Sequence, residues 1–201
     1  MAKDTKKQII ETAISLFRNK GLEETTINDI CEECHITKGT FYYHFSNKNQ
    51  IVAEFYRDIY SADFDSMISD LVLMDSALEQ LWEVYAYGIK VSANLSPQLL
   101  KALYLSDFSN GLQFFSPLRT GTREANDDDD ICFKLIRKGQ KTGEIRQGDP
   151  HQLHLTFMAA QYTVGFDWAF HDGDYDETEI IYKMFLTVFQ NSAGFNKTHK
   201  R

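Results

Sequence analysis

Residues 26–51 read TINDICEECHITKGTFYYHFSNKNQI and predict two short helices separated by a tight turn. Thr26 belongs to the residue types that cap helix N-termini, and Asp29 follows three positions later, as in a capping box. Thr37 repeats the capping signal before a second helix, Lys38 to Phe45. We therefore expect a helix, a turn and a helix in this stretch.

The second of these helices has two chemically different faces. Phe41 and Phe45 lie one turn apart, so their face must pack inward. The opposite face carries hydroxyls, aromatic rings and cations, with Tyr42 at its flank, and its members are Lys38, Thr40, Tyr43 and His44. A helix with an apolar back and this polar front suits insertion into the major groove of DNA.

This stretch resembles the DNA-binding half of the tetracycline-repressor (TetR) family of bacterial transcription regulators. The shared pattern is a Thr, an apolar helix, a Gly-aromatic-Tyr-x-His-Phe recognition helix and a Lys two or three residues later. The matching residues are Gly39, Phe41, Tyr42, His44, Phe45 and Lys48. The resemblance begins with a first helix, Lys6 to Lys20, and beyond the first quarter of the chain it implies architecture only.

The resemblance also implies a set of residues that contact double-stranded operator DNA, in a protein that is most often a repressor. The predicted set is Thr26, Thr37, Lys38, Gly39, Thr40, Tyr42, Tyr43, His44 and Lys48. Phosphates would be held by Tyr42, His44 and Lys48. Base edges would be reached by Lys38, Thr40 and Tyr43. Gly39 would allow close approach to the DNA backbone.

The charge of the chain is unevenly distributed. The 201 residues carry a formal net charge of −8, yet residues 1–50 hold seven basic and seven acidic residues and are neutral. Residues 35–50 contain two lysines and no carboxylate. An acidic body disfavours indiscriminate phosphate binding, although the same charge could simply keep the protein soluble.

Capping signals and helical spacing continue to the end of the chain, and no segment shows sustained strand alternation. The predicted fold class is all-α, with an N-terminal helix-turn-helix domain in residues 1–46 and a larger helical effector-binding and dimerisation domain in residues 47–201. A helix from about residue 47, capped by Ser46, would connect them. Further helices are expected over residues 76–93, 96–107, 122–142, 149–170 and 176–194.

The last two predicted helices carry more apolar surface than one small core can cover. Residues 153–170 are apolar nearly all round, and the final helix has a broad stripe formed by Ile180, Ile181, Met184, Phe185, Val188 and Phe189. The resemblance implies that both helices pair with their copies in a homodimer as a four-helix bundle. The alternative is a thicker monomer core.

The middle of the chain is rich in aromatic residues, most of which we expect in the core. The resemblance implies an internal cavity for a small-molecule effector, and these side chains would suit an aromatic or largely apolar one. The predicted walls are Trp82, Tyr85, Ile89, Tyr104, Phe108, Phe157, Gln161 and Trp168. Gln161 would orient the ligand by a hydrogen bond, or else it faces the partner subunit or a buried water.

Cys31 and Cys34 raise an alternative function, because Cys-x-x-Cys-His is a pattern of redox, metal and haem sites. A regulator acting through these thiols, as a redox or metal sensor, is the rival hypothesis. Core packing is favoured, since the two residues lie one turn apart on a predicted helix and no partner pair is spaced for zinc. An odd total of three cysteines fits a reducing cytoplasm.

Other acidic and histidine clusters do not converge as metal sites. The candidates are Asp127–Asp130, the acidic loop around Asp174, and the pair His151 and His154. We therefore predict no metal and no cofactor. No catalytic motif, signal peptide or membrane-length apolar run is present, so the expected protein is a cytoplasmic non-enzyme.

Overall fold

The computed structural model describes residues 2–62, 64–109 and 130–191, and this part of the chain is helical apart from its turns. Its helices are α1 (Ala2–Lys20), α2 (Ile27–Glu33), α3 (Lys38–His44), α4 (Lys48–Ala62), α5 (Phe64–Leu71), α6 (Ala77–Ala93), α7 (Pro97–Ser109), α8 (Ile131–Thr142), α9 (Pro150–Phe170) and α10 (Glu177–Phe189). The all-α prediction is confirmed. Residues 127–129 and the predicted helix start at Thr122 lie outside the described residues.

Local hydrogen bonds explain why the first helices begin where they do. The Thr26 Oγ1 accepts from the Asp29 N–H at 3.1 Å, and the Asp29 carboxylate accepts from the Thr26 N–H at 2.8 Å, so the predicted capping box is present. Thr37 caps α3 by accepting from the Thr40 N–H at 3.1 Å. Between them, His35 adopts a left-handed φ of 54°, which turns the chain between α2 and α3.

The cap of α4 differs from the prediction by one residue. Asn47, and not Ser46, accepts from the Gln50 N–H, at 2.9 Å. Ser46 lies one position too early and donates instead, through its N–H at 2.8 Å and its hydroxyl at 3.0 Å, to the Gln50 side-chain oxygen. The two residues together fix the entry into α4.

A first apolar core joins the N-terminal helices to the rest of the molecule. Phe41 of α3 and Phe45, which caps the end of that helix, are buried in it, as their spacing predicted. The same cluster continues into α7 through Leu99, Leu100 and Leu103. Because α4 packs against α1 on one side and against α6 and α7 on the other, it is the structural link between the two regions.

A second apolar core lies between α6, α8, α9 and α10. Its fully buried members include Leu81, Ile136, Phe157, Phe185 and Phe189. The last helix ends at Phe189 and not near Gly194, because the following residues bond to the turn after α8. The Phe189 carbonyl accepts from the Arg146 N–H at 2.8 Å, and the Asn191 N–H donates to the Glu144 carbonyl at 3.1 Å.

The apolar stripe predicted on the final helix divides between two environments. Phe185, which is 1% exposed, lies in the second core with Ile181 and Phe189, whereas Ile180 and Met184 are exposed. Ile181, Phe185 and Phe189 of α10 therefore pack within the protomer itself. No helix in the described ranges is long and apolar enough to cross a membrane.

Candidate nucleic-acid interface and internal cavity

The polar front of α3 is open to solvent while its back is buried. Tyr43 is 80% exposed and Tyr42 is 55% exposed, and Lys38 and Gly39 are exposed as well. Thr40 is half-buried, and its hydroxyl lies 3.0 Å from that of Thr37. The residues predicted to reach base edges thus lie on one accessible face.

The remaining residues that are predicted to contact DNA are exposed or half-buried. Thr26 and Thr37 are exposed, and their side-chain oxygens cap α2 and α3. His44 is half-buried, and its ring packs edge-on against Tyr43 with ring centroids 4.9 Å apart. Contact of these residues with DNA stays a prediction.

Lys48 has a structural role that the sequence interpretation missed. Its Nζ donates to the carbonyls of Leu22 at 2.6 Å, Thr25 at 2.8 Å and Glu23 at 3.3 Å. The ammonium therefore holds the start of α4 against the turn that precedes α2. If Lys48 also contacts a phosphate, as predicted, its ammonium protons would be shared between the phosphate and these three carbonyls.

The two N-terminal cysteines are buried free thiols in the first core. Burial raises the pKa of Cys31 and of Cys34, which lowers the fraction of reactive thiolate. The Cys34 thiol points to the Gln8 carbonyl at 3.9 Å. In the described ranges no three His, Cys, Asp or Glu side chains group as metal ligands. Nothing in this geometry supports the redox or metal-sensor alternative.

A cavity of about 390 Å³ lies where α4, α6, α7, α8, α9 and α10 meet. Four of the eight predicted wall residues line it, namely Tyr85, Ile89, Tyr104 and Gln161. Its walls are mostly apolar or aromatic. This volume is in the usual range for ligand pockets, which is roughly 300 to 1,000 Å³.

The other four predicted wall residues do not line the cavity, because their helix faces turn elsewhere. Trp82 packs against Tyr182 with ring centroids 4.7 Å apart, and Phe157 is enclosed in the second core. The Trp168 indole N–H donates to the Tyr175 carbonyl at 3.0 Å. Phe108 is 71% exposed.

The sequence interpretation also missed most of the wall. The unexpected lining residues include Tyr56, Arg57, Tyr60, His154, Met158, Tyr162, Gly165 and Glu177. On α9 a signal was available, because His154, Met158, Gln161 and Gly165 recur at helical spacing and so share a face. Glu177 gave no such signal, since an acidic residue in the first turn of a helix is ordinary.

Two polar groups in the wall have unusual surroundings. The Gln161 amide nitrogen donates to the Tyr85 carbonyl at 3.4 Å, but its side-chain oxygen is buried without a hydrogen-bond partner in the described structure. Glu177 is only 6% exposed. Burial, with a smaller contribution from the neighbouring Asp176 charge, raises the pKa of Glu177 to about 7.

Gly165 allows two of these groups to approach α9. A Cβ at this position would lie 2.6 Å from the Tyr104 hydroxyl oxygen and 3.7 Å from a Glu177 carboxylate oxygen. Any larger residue would therefore push the tyrosine away. The missing side chain brings the Tyr104 hydroxyl and the Glu177 carboxyl to the same part of the cavity wall. Burial and the nearby Glu177 charge raise the pKa of Tyr104, so it stays a neutral phenol.

A single helix connects the two sites. The first turn of α4 is held to the N-terminal region through Lys48. Two and three turns later, Tyr56 and Tyr60 line the cavity. At a rise of about 1.5 Å per residue, the two ends of this connection lie roughly 12 to 18 Å apart.

Residues 9–55 match the family of bacterial regulatory proteins known as the tetR family. Over 179 residues the chain is 34% identical to the transcriptional repressor KstR2 of Mycolicibacterium smegmatis, a match that covers 84% of each protein. A probable acrEF/envCD operon repressor of Escherichia coli is 33% identical over 105 residues, which is 50% of this chain and 47% of that relative.

The match to the Escherichia coli protein thus spans about half of that relative's length. Among solved structures, the FadR repressor of Thermus thermophilus, crystallised with lauroyl-CoA, superposes with a TM-score of 0.67. That superposition covers 91% of this chain and 92% of FadR at 19% identity, and it shows a shared fold. The long match to KstR2 and the N-terminal family match establish that this chain belongs to the tetR family of bacterial regulatory proteins.

Proposed function

We propose that this protein is a ligand-responsive transcriptional repressor that binds palindromic operator DNA as a homodimer. The observation that carries the proposal is the position of α4, which is anchored to the turn before α2 at one end and lines an internal cavity further along. A ligand in the cavity can therefore act on the DNA-binding helices through one element. The family membership of the chain supports the regulatory role.

DNA recognition would use the exposed front of α3. Lys38, Thr40 and Tyr43 would contact base edges, while Tyr42 and His44 at the flank would contact phosphates. In a two-fold symmetric dimer, the two copies of α3 would enter successive major grooves about one helical turn apart. The operator should then be a palindrome or nearly so.

The dimer would form through the outer faces of α9 and α10. These faces expose Phe166, Ile180 and Met184, and the small residues Ala159 and Thr163 lie on the same side of α9 as Phe166. Small residues let two helices approach closely, and the apolar side chains gain by being covered. A second copy related by two-fold symmetry would complete a four-helix bundle.

Ligand binding would shift a population of conformations. If the ligand fits the cavity better when α4 has moved relative to α7, binding changes the separation of the two α3 helices and weakens the operator complex. In this scheme residues 1–46 bind DNA, residues 47–201 bind the effector and form the dimer, and no step is catalytic. The ligand of the FadR neighbour is an acyl-CoA, and the apolar walls here suit a ligand with an aromatic or apolar body.

Selection of bound DNA from a random duplex pool tests the proposal directly. We expect enrichment of a palindromic sequence at low salt, and affinity that falls steeply as salt is raised. The selected duplex then serves to screen compounds for release of the protein. A compound that releases the operator should also raise the melting temperature, because it stabilises the native state. Failure to bind any duplex in the pool would show that the proposed function is wrong.

A further inference from the structure

The cavity offers hydrogen-bond acceptors for which the described protein supplies no donor. The Gln161 side-chain oxygen is one, because its own amide nitrogen is already directed to the Tyr85 carbonyl. The Glu177 carboxyl is the other, since no described residue donates a hydrogen bond to it. Gln161 and Gly165 lie one turn apart on α9, about 6 Å, and Glu177 lies beside Gly165. The two acceptors therefore line the same cavity, on the face of α9 that carries Gln161 and Gly165.

Of the titratable groups around Glu177, Tyr175 already has hydrogen-bond acceptors of its own. The Tyr175 hydroxyl donates to the Val164 carbonyl and to the Asp167 carboxylate, each at 3.0 Å. Tyr104 on α7 approaches as a neutral phenol, and Asp176 adds a like charge.

Across the cavity, two further groups have partners of their own. Arg57 pairs with Glu54 at 2.8 Å, and the His154 Nδ1 lies 2.7 Å from the Tyr85 hydroxyl. Burial lowers the pKa of His154, so the ring is neutral at neutral pH. No cation in the described part of the chain neutralises the Glu177 carboxylate.

On the basis of the proposed function, we infer that the effector is an amine with an apolar, ring-sized body. Its protonated amino group pairs with the Glu177 carboxylate and donates a second hydrogen bond to the Gln161 side-chain oxygen. A buried ammonium requires a paired opposite charge, and Glu177 can supply it. A bare alkyl chain in the same place would leave both acceptors unsatisfied. The first-turn position of Glu177 on α10 favours the ionised carboxylate once a cation is present.

Proton release distinguishes this arrangement from simple apolar binding. With a pKa of about 7, Glu177 is largely protonated at pH 6 and largely ionised at pH 8.5. The ammonium pairs with the carboxylate, so at pH 6 the carboxyl gives its proton to the buffer as the ligand enters. At pH 8.5 there is no such proton to release, and the affinity for the amine is higher.

Three probes with one apolar body test the inference: 2-naphthylmethylamine, 2-naphthalenemethanol and 2-naphthoic acid. Binding of each to the full-length protein is measured by calorimetry at pH 6 and pH 8.5, in buffers of different ionisation enthalpy. We expect the amine to bind about tenfold or more tightly than the alcohol or the acid, and to release a proton only at pH 6. Glu177→Gln should weaken amine binding at least about tenfold and abolish proton release, while alcohol binding changes by less than about threefold.

The matched control is Glu179→Gln, since Glu179 is an exposed acid on the same helix that pairs with Lys183 at 2.6 Å. This variant should bind the amine like the parent. The inference is overturned if the parent does not bind the amine, if it binds the acid or alcohol as tightly, or if Glu177→Gln keeps the amine preference. None of these measurements includes DNA. An amine that binds but never releases the operator would therefore count against the regulatory role alone.

Discussion

Lys48 stabilises the DNA-binding region as well as being a candidate phosphate ligand. Replacing it with Ala removes three hydrogen bonds to main-chain carbonyls, so we expect the unfolding free energy to fall by about 1 to 3 kcal/mol. Operator affinity should fall too. Lys38→Ala is the control, because that exposed side chain should weaken DNA binding with little change in stability. Denaturant unfolding and operator titration separate the two effects, and an unchanged unfolding midpoint for Lys48→Ala would contradict the structural role.

Glu177 should make the protein less stable as the pH rises. Its folded-state pKa of about 7 lies above the ordinary value of 4.5, so the folded state holds a proton that the unfolded state has lost. The unfolding free energy therefore decreases between about pH 4.5 and pH 7, by at most roughly 3 kcal/mol.

Glu177→Gln removes that pH-dependent penalty without changing the size of the side chain. The variant should melt higher than the parent at pH 8, and the two should converge near pH 5. Melting curves across this pH range, with Glu179→Gln as the control, test whether stability falls as the pH rises. A parent that gains stability relative to Glu177→Gln as the pH rises would refute it.

Gly165 sets the position of Tyr104 in the cavity wall. Gly165→Ala places a methyl group 2.6 Å from the tyrosine hydroxyl oxygen, so the Tyr104 side chain must shift from its place in the cavity wall. We expect binding of a cavity ligand to weaken at least about tenfold while operator affinity without ligand stays the same. Gln152→Ala is the control, because that residue is exposed on the same helix and does not line the cavity. Equal effects of the two variants on ligand binding would disprove this role of Gly165.

At the scale of single elements, we expect the front of α3 to determine the DNA sequence preference. Thr40→Ala or Tyr43→Ala should change which bases are selected at a few positions, since both side chains lie on the accessible face. Tyr42→Phe at the flank should weaken binding evenly across sequences. Repeated selection from the random pool with each variant makes the comparison. Identical preferred sequences for parent and Tyr43→Ala would show that this face does not read bases.

The elements also show what sequence alone can predict. Thr26, Asp29 and Thr37 were recognisable because a cap depends on neighbours three residues away. The cavity was only half predictable, because lining depends on how a helix is rotated against others. Trp82 and Tyr85 are three residues apart, yet only Tyr85 faces the cavity. The wall contributed by Tyr56 and its neighbours requires knowing that α4 packs between α1 and α7.

For the whole molecule, the structure separates residues that fold the protomer from residues that would join two copies. Met184→Glu places a charge on the exposed face of α10, so we expect a folded monomer. Phe185→Glu buries a charge in the second core and should instead unfold the protein. Light scattering and circular dichroism distinguish the two. A Met184→Glu protein that remains dimeric would move the interface away from this face.

The position of α4 has a consequence for attempts to recombine regulators of this kind. A chimera that joins residues 1–46 to the ligand-sensing body of another regulator receives a foreign α4. It then loses Tyr56 and Tyr60 of this cavity, whereas a lysine at the position of Lys48 belongs to the shared family pattern. If the front of α3 reads bases as proposed, transplanting DNA specificity into a biosensor calls for grafting that face alone. Transplanting ligand specificity calls for a crossover that keeps α4 whole. The two sites lie on different parts of the molecule, but α4 takes part in both, so its start is not a neutral point at which to join two proteins.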